Sequence, residues 1–485
     1  MERNPSSTFW KYSEIIGTIR DWFQRPSPSQ ERPAISEEWQ TTAEEIEVIN
    51  GLNQFPAEVL INIFAHFCIQ PYTESERDAY GTVPHFLLGR ICRSWRKIAW
   101  GASELWANLE TKISWRHYDM QLKLVEEWLQ RSNDRPLSVV IRFSPDMGSA
   151  TSLISLLVER CHRWTILELR WNTVHEIETK VIDILGKASG NTPLLERVLI
   201  DSIKSHQIGF LQPGASPALR ELFWRGHLRG LSARDLVFIL KRCPNVEECR
   251  VSSFTTHSDF QPSSDDGEFA SFPSIRLLEI QEFGDISMLR YIRAPSLRHL
   301  SIAQGPTSLR HHPDLYPLDC LITFSRVSGF KLDYFGLSVR EEIDIQCLKC
   351  LLSCIGTVTS VYLETYGAVD YDTWQRVIPN ILNPSKVLPS ETALLPDIQT
   401  LQYFTDMPER AMQPMADMVR QRWNMSQSTF PPKCAKLKTL RLNKKSKRAL
   451  SSLLTRECEE GFELTYDLQY QGHPYVGFNA AEMPL

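Results

Sequence analysis

The chain has 485 residues, 42% of them hydrophobic and 23% charged, with a formal net charge of -5 and a sequence pI near 6.2. That length suits roughly two to four domains or one long repeat array, and the composition is ordinary for a globular protein with ample material for a core. The acidic balance argues against a general nucleic-acid binder, and no apolar run approaches membrane-spanning length.

Residues 1–50 form a poorly defined N-terminal segment. Met1 to Gly17 carries polar and charged residues where a signal peptide would have an apolar stretch, which predicts a chain of the cytoplasm, the nucleus or both. Ile15, Ile19, Trp22 and Phe23 have the spacing of a short helix. The Pro/Ser run Arg25 to Pro33 reads as a flexible link, and the acidic run SEEWQTTAEEIEVI as a helical lead-in. Eleven cysteines, an odd number without repeating spacing, fit a reducing compartment better than a disulfide framework.

Residues 51–110 predict a small helical module in two halves. Pro56 suits a helix start and Glu58 complements the positive end of the helix dipole. Val59, Leu60, Ile63, Phe64 and Phe67 then recur at helical spacing on one side. The second half repeats the device with Leu88, Ile91, Cys92, Trp95, Ile98 and Ala99 apolar, between solvated Arg90, Arg93, Arg96 and Lys97. Leu105 and Trp106 close the segment. So short a stretch cannot bury that much apolar surface alone, so a neighbouring domain or a partner must cover part of it.

Phe55-Pro-Ala-Glu-Val-Leu, the Ile63-Phe64 pair, Cys-Arg-Ser-Trp-Arg-Lys-Ile-Ala from Cys92 and Glu104-Leu-Trp together resemble an F-box. The likeness is greatest to the F-box proteins of mushroom-forming fungi, in which a line such as Trp128 to Ile141 follows the box. Phe55 stands where Leu is usual, and the insert from Ile69 to His85 is longer than a tight connection needs. The resemblance implies docking on the Skp adaptor of an SCF-type cullin-RING ubiquitin ligase. Phe55, Pro56, Val59, Leu60, Ile63, Phe64, Cys92 and Trp95 would then form the contact or the core beneath it, and the rest of the chain would select a target protein. The other reading of the same stripe is an ordinary helical subdomain packed on its neighbour.

After a connecting helix over 111–135, residues 136–470 are repetitive. The pattern Pro, any, aliphatic, two free, apolar, free, apolar occurs at Pro193, Pro217, Pro244, Pro273 and Pro295. Looser copies lie at Ile166 to Trp171, Val358 to Glu364, Asp397 to Tyr403 and Lys436 to Leu442, and Pro136 starts the series. Prolines some twenty to thirty residues apart match the period of leucine-rich repeats. Within each copy the last two apolar residues are two apart, so they share one face of a short strand. Helical stretches such as SLISLLVERC, IETKVIDILGKA, ARDLVFILKRC, IDIQCLKCLLSCI and MADMVRQRW separate the copies. The fold class is therefore an all-α F-box-like module followed by an α/β leucine-rich-repeat-like solenoid with a parallel sheet. Phe254 to Phe269 and Ile381 to Leu395 interrupt the period, which leaves an irregular α/β domain with a parallel sheet as the alternative.

The register predicts an outward face holding Glu168, Arg170, Arg197, Asp201, Glu221, Phe223, Arg225, Glu248, Arg250, Glu279, Gln281, His299 and Ser301. Both charge signs with a few aromatics suit a protein partner rather than a polyanion or an apolar small molecule. Any one of these residues alone reads as a solvated strand position. No phosphate loop, dinucleotide fingerprint, zinc-protease helix or nucleophile elbow is present, so a non-catalytic chain without cofactor or metal is expected. Cys347, Cys350 and Cys354 lack a second ligand pair and read as apolar positions of a helix. His311 and His312 read as surface residues, Lys444 to Arg448 as an exposed basic turn or an import signal, and 471–485 as a tail. Function is then a substrate-recognition subunit of a ubiquitin ligase or a scaffold without that role, and a hydrolase built on the repeats is disfavoured by the lack of a triad or metal set.

Overall fold

The computed structural model describes residues 55–69, 84–144, 149–171, 179–201, 216–225, 233–252, 269–283, 286–304, 317–339, 344–365, 371–386, 393–404, 409–425 and 434–466. Expectations for 1–50, the 70–83 insert, His311, His312 and the 471–485 tail lie outside these residues. The chain divides into two compact units, 1–167 and 168–485.

In the first unit, α1 (Ala57–Ile69), α2 (Pro84–Ile91) and α3 (Arg93–Gly101) precede β1 (Asn108–Ile113), α4 (Tyr118–Arg131), β2 (Leu137–Phe143) and α5 (Thr151–Val158). The sheet begins earlier than Pro136, because β1 pairs in parallel with β2 over its whole length. The 111–135 segment is thus the end of a strand followed by a helix. NLETKI alternates polar and apolar residues, with Leu109 and Ile113 buried, a period-two signal too short to stand out beside the Glu-Leu-Trp motif.

β3 (Trp164–Trp171) leads into the second unit. There follow α6 (Thr179–Gly186), β4 (Arg197–Asp201), β5 (Glu221–Arg225), α7 (Ala233–Arg242), β6 (Glu248–Ser252), β7 (Ala270–Ser271), β8 (Leu277–Phe283), β9 (Ile292–Arg293) and β10 (His299–Gln304). Then come α8 (Pro317–Ser328), β11 (Tyr334–Val339), α9 (Ile345–Cys354), β12 (Ser360–Thr365), α10 (Tyr371–Leu382), β13 (Thr400–Phe404), α11 (Glu409–Met425), β14 (Thr439–Leu442), α12 (Lys444–Ser451), α13 (Thr455–Glu459) and β15 (Glu463–Tyr466). Thirteen strands form one large sheet in chain order, β7 and β9 pairing separately. Every pairing with a defined register is parallel. The α/β class with a parallel sheet is therefore observed. Among the described residues, no helix is long and apolar enough to cross a membrane.

One turn is reused throughout. Leu195 N–H donates to Thr192 O, Leu219 to Ser216, Val246 to Cys243, Ile275 to Phe272, Leu297 to Ala294 and Ile398 to Leu395, at 3.1 to 3.4 Å. In each case Pro follows the acceptor, where its fixed φ suits the second position of a β-turn. The apolar donor residue is buried, and a strand starts one residue beyond the next, as at Arg197, Glu221, Glu248, Leu277, His299 and Thr400.

The carbonyl before each strand then locks the following repeat. Glu196 O accepts from the Arg220 and Glu221 N–H groups, Arg220 O from Glu247 and Glu248, Glu247 O from Arg276 and Leu277, and Arg276 O from Arg298 and His299, at 2.8 to 3.0 Å. Along the strands Val198 and Ile200, Leu222 and Trp224, Cys249 and Val251, Leu278 and Ile280, and Leu300 and Ile302 are buried, as the alternation requires.

Two details depart from the sequence reading. In α9 the buried stripe is Leu348, Leu351 and Leu352, while Cys350 is exposed and Cys347 and Cys354 half-buried. The cysteines flank the apolar stripe instead of forming it. Lys444 to Arg448 belong to α12, whose first turn is capped by the Asn443 side chain accepting from Ser446 N–H, and not to a turn.

Candidate functional site

The helical stripe divides into an inner and an outer part. Leu60, Ile63, Phe64 and Trp95 are almost wholly buried within the first unit, with the Phe64 and Trp95 rings 4.8 Å apart. Phe55, at 41% exposure, and Pro56 face solvent, and Val59 is half-buried. Pro56 O accepts from Val59 and Leu60 N–H, so the exposed pair begins α1. Cys92 is half-buried and is the N-cap of α3, its sulfur accepting from Trp95 N–H at 3.4 Å. A thiol is an unusual cap, which is why sequence alone placed it with the apolar set.

Other residues set the geometry behind that edge and were missed in the sequence. Gly89 sits where an added Cβ would meet the Trp100 ring at 2.3 Å. His85 is buried between Trp106 and Trp128, ring centres 5.0 and 4.5 Å away, with Nε2 2.7 Å from Leu105 O. Burial pushes its pKa down to about 4, against the smaller opposing effect of that carbonyl, so the ring is neutral and Nε2 is its donor.

On the sheet, the register brings the expected residues to one face. Arg197, Glu221 and Glu248 stand side by side across β4, β5 and β6, followed by Leu277, His299 and Tyr334. One step along, Phe223, Arg250, Glu279, Ser301, Gly336 and Tyr362 form a second row. Arg225 and Asp201 occupy a third row by backbone register, while their side chains lie outside the described residues.

These side chains satisfy one another. Arg170 pairs with Glu168 at 2.8 Å, and Arg197 bonds Glu221 and lies 3.9 Å from Glu168. The Glu221 hydrogen bond raises the Arg197 pKa above its ordinary value, outweighing partial desolvation. Arg250 stands 4.7 Å over the Phe223 ring, and reaches Glu248 at 3.3 Å and Glu279 at 3.1 Å. His299 Nε2 is 3.2 Å from the other Glu279 oxygen. The latter two contacts are ion-pair distances without hydrogen-bond geometry, since Arg250 Nε and His299 Nε2 find no hydrogen-bond acceptor.

The face is not uniformly solvated, and three of its residues are covered where they stand. Glu168, Glu279 and Ser301 are buried, Glu279 to 7% exposure, because neighbouring side chains across the strands close over them. Beyond β10 the same rows become aromatic. The His299 and Tyr334 rings stack at 4.2 Å, and Tyr334 clusters with Tyr362 and Phe404. Gly336 makes room for this arrangement: a Cβ there would lie 2.9 Å from Ser301 Oγ and 3.1 Å from the Tyr334 ring. Glu364, flanked in register by Ser338 and Phe404, is also buried. A signal for this stretch existed, since Leu332, Phe335 and Leu337 repeat the apolar spacing without a Pro, and Val361 and Leu363 put Tyr362 and Glu364 on the polar face.

The chain matches no protein-family model and no curated protein. Among solved structures, it is similar to a chain of the Rad7 and Elc1 complex in yeast, at 10% identity and a TM-score of 0.36, over 83% of this chain and 94% of that one. It is also similar to a protein from Bacteroides fragilis, at 13% identity and a TM-score of 0.29, over 74% of each.

Proposed function

We propose that the chain is a substrate-recognition subunit of an SCF-type ubiquitin ligase. The α1 edge docks on the Skp adaptor, and the polar sheet face holds a target protein. The observation that supports this reading is the division of the F-box-like stripe. Leu60, Ile63, Phe64 and Trp95 close the module's own core, leaving Phe55, Pro56 and Val59 at its surface for a partner's apolar pocket. The chain carries no catalytic role in this reading. It acts by proximity, raising the effective concentration of an acceptor lysine near a ubiquitin-charged enzyme, in the cytoplasm, the nucleus or both.

The test is a pull-down with purified Skp adaptor, comparing wild type with Pro56→Asp/Val59→Asp. These positions are preferable to Leu60 and Ile63, where a charge would unfold the module and lose binding for the wrong reason. The double variant should lose Skp with its melting temperature unchanged. Wild-type protein that never binds Skp defeats the reading. Skp binding without co-purifying cullin or ubiquitinated protein would instead favour a non-catalytic scaffold.

A further inference from the structure

The stretch of sheet face over β11 to β13 holds a buried carboxylate, one of whose oxygens has no hydrogen-bond partner. Glu364 is 4% exposed, and its Oε1 has no hydrogen-bond partner. Its register neighbours on the same face are Ser338 and Phe404, and Tyr362 stands two residues back on its own strand. The Tyr362 and Phe404 rings are 5.4 Å apart and tilted by 41°, and Tyr334 completes the cluster.

The contrast with Glu279 is informative. That carboxylate, also buried, has the Arg250 guanidinium at 3.1 Å to balance it and His299 Nε2 at 3.2 Å beside it. Glu364 has no such cation among the described residues. A carboxylate oxygen taken out of water without a donor is costly, and such a group calls for a donor or a positive charge. The aromatic cluster beside it supplies the complementary half, because a ring's negative quadrupole attracts an organic cation. Carboxylate and rings together select charge and a flat or alkyl-stemmed shape, whereas a carboxylate alone would select a metal ion as readily.

We propose that Glu364, with Tyr362, Phe404 and Tyr334, is a subsite for a cationic side chain, arginine or lysine, contributed by a protein partner. The subsite deepens the reading of the sheet face as the target-binding surface and rests on it, but it does not depend on Skp docking by α1. Electrostatics agree: burial, with Glu279 and Glu364 nearby, raises the Tyr334 hydroxyl above its usual range, so that edge of the site donates and never adds negative charge of its own.

The experiment is saturation-transfer NMR on the full-length protein with three probes: N-acetyl-arginine amide, N-acetyl-lysine amide and the neutral isostere N-acetyl-citrulline amide. At least one cationic probe should bind saturably, and the neutral isostere should bind at least tenfold more weakly. Which cationic probe binds more tightly assigns guanidinium or ammonium. Glu364→Gln should weaken the cation at least tenfold while melting as wild type does. Tyr362→Leu should weaken it too, as a variant that leaves the carboxylate in place. Absence of saturable binding by both cations, equal binding of the neutral isostere, or binding indifferent to Glu364→Gln would each overturn the subsite. Cation binding by a protein that fails to capture Skp would leave the subsite standing and remove only the ligase reading.

Discussion

Two stretches of the same sheet face use one backbone plan and opposite chemistry. Across β3 to β8, Arg170, Arg197 and Arg250 lie at ion-pair distance from Glu168, Glu221 and Glu279, although Arg170 Nε and Arg250 Nε find no hydrogen-bond acceptor. Across β11 to β13 the equivalent positions hold Tyr334, Tyr362 and Phe404 around Glu364, whose Oε1 is unsatisfied. Alternation along a strand decides which face a side chain takes, but its neighbours across the strands decide whether it meets water. A charge-paired stretch contributes order, whereas a carboxylate without a cation among the described residues is where a partner can add one.

The comparison is sharpest above about pH 6.5. Below it His85 intervenes: its pKa is near 4 when folded and 6.5 in the unfolded chain, so the unfolded state binds the extra proton. The stabilisation is complete above pH 6.5, falls as pH drops toward 4, and totals about 3 kcal/mol at 1.36 kcal/mol per unit. Urea unfolding as a function of pH should show that slope, and His85→Gln should flatten it. Glu279→Leu would break the satisfied stretch, leaving Arg250 and His299 without their shared anion, and should cost about 2–3 kcal/mol by denaturant unfolding at pH 7.5. Arg197→Met, at a side chain 38% exposed, should cost less than about 1 kcal/mol in the same measurement. Glu364→Gln should lie near zero in the same measurement, because Oε1 has no hydrogen bond to lose. If Glu364→Gln proved as destabilising as Glu279→Leu, the two stretches would not differ as described.

Much of this architecture was legible from spacing. The five proline-led motifs all became turn and strand, and the apolar pair in each is buried, because Pro restricts φ and period two restricts facing. β1, β11 and β15 were not expected. Each lacks the proline, and β11 replaces an outward side chain with Gly336. Burial on the polar face was not legible at all, since closure over Glu279 depends on Arg250 and His299 from other strands. In the helical unit the spacing of Leu60, Ile63 and Phe64 identified an apolar stripe but could not say which of its residues face inward. Nothing in the spacing marked Cys92 as a cap.

The shared carbonyls before each strand carry a consequence for how such a chain can change over generations. Because Glu196, Arg220, Glu247 and Arg276 each bind only the repeat that follows, whole units can be duplicated or lost without disturbing distant ones. Chain length between one turn and the next already varies, since Pro193, Pro217, Pro244, Pro273 and Pro295 are unevenly spaced. One residue gained between turn and strand would instead exchange the two faces of that strand. Evolution is thus free to lengthen this protein in large steps and is held tightly to its reading frame within them.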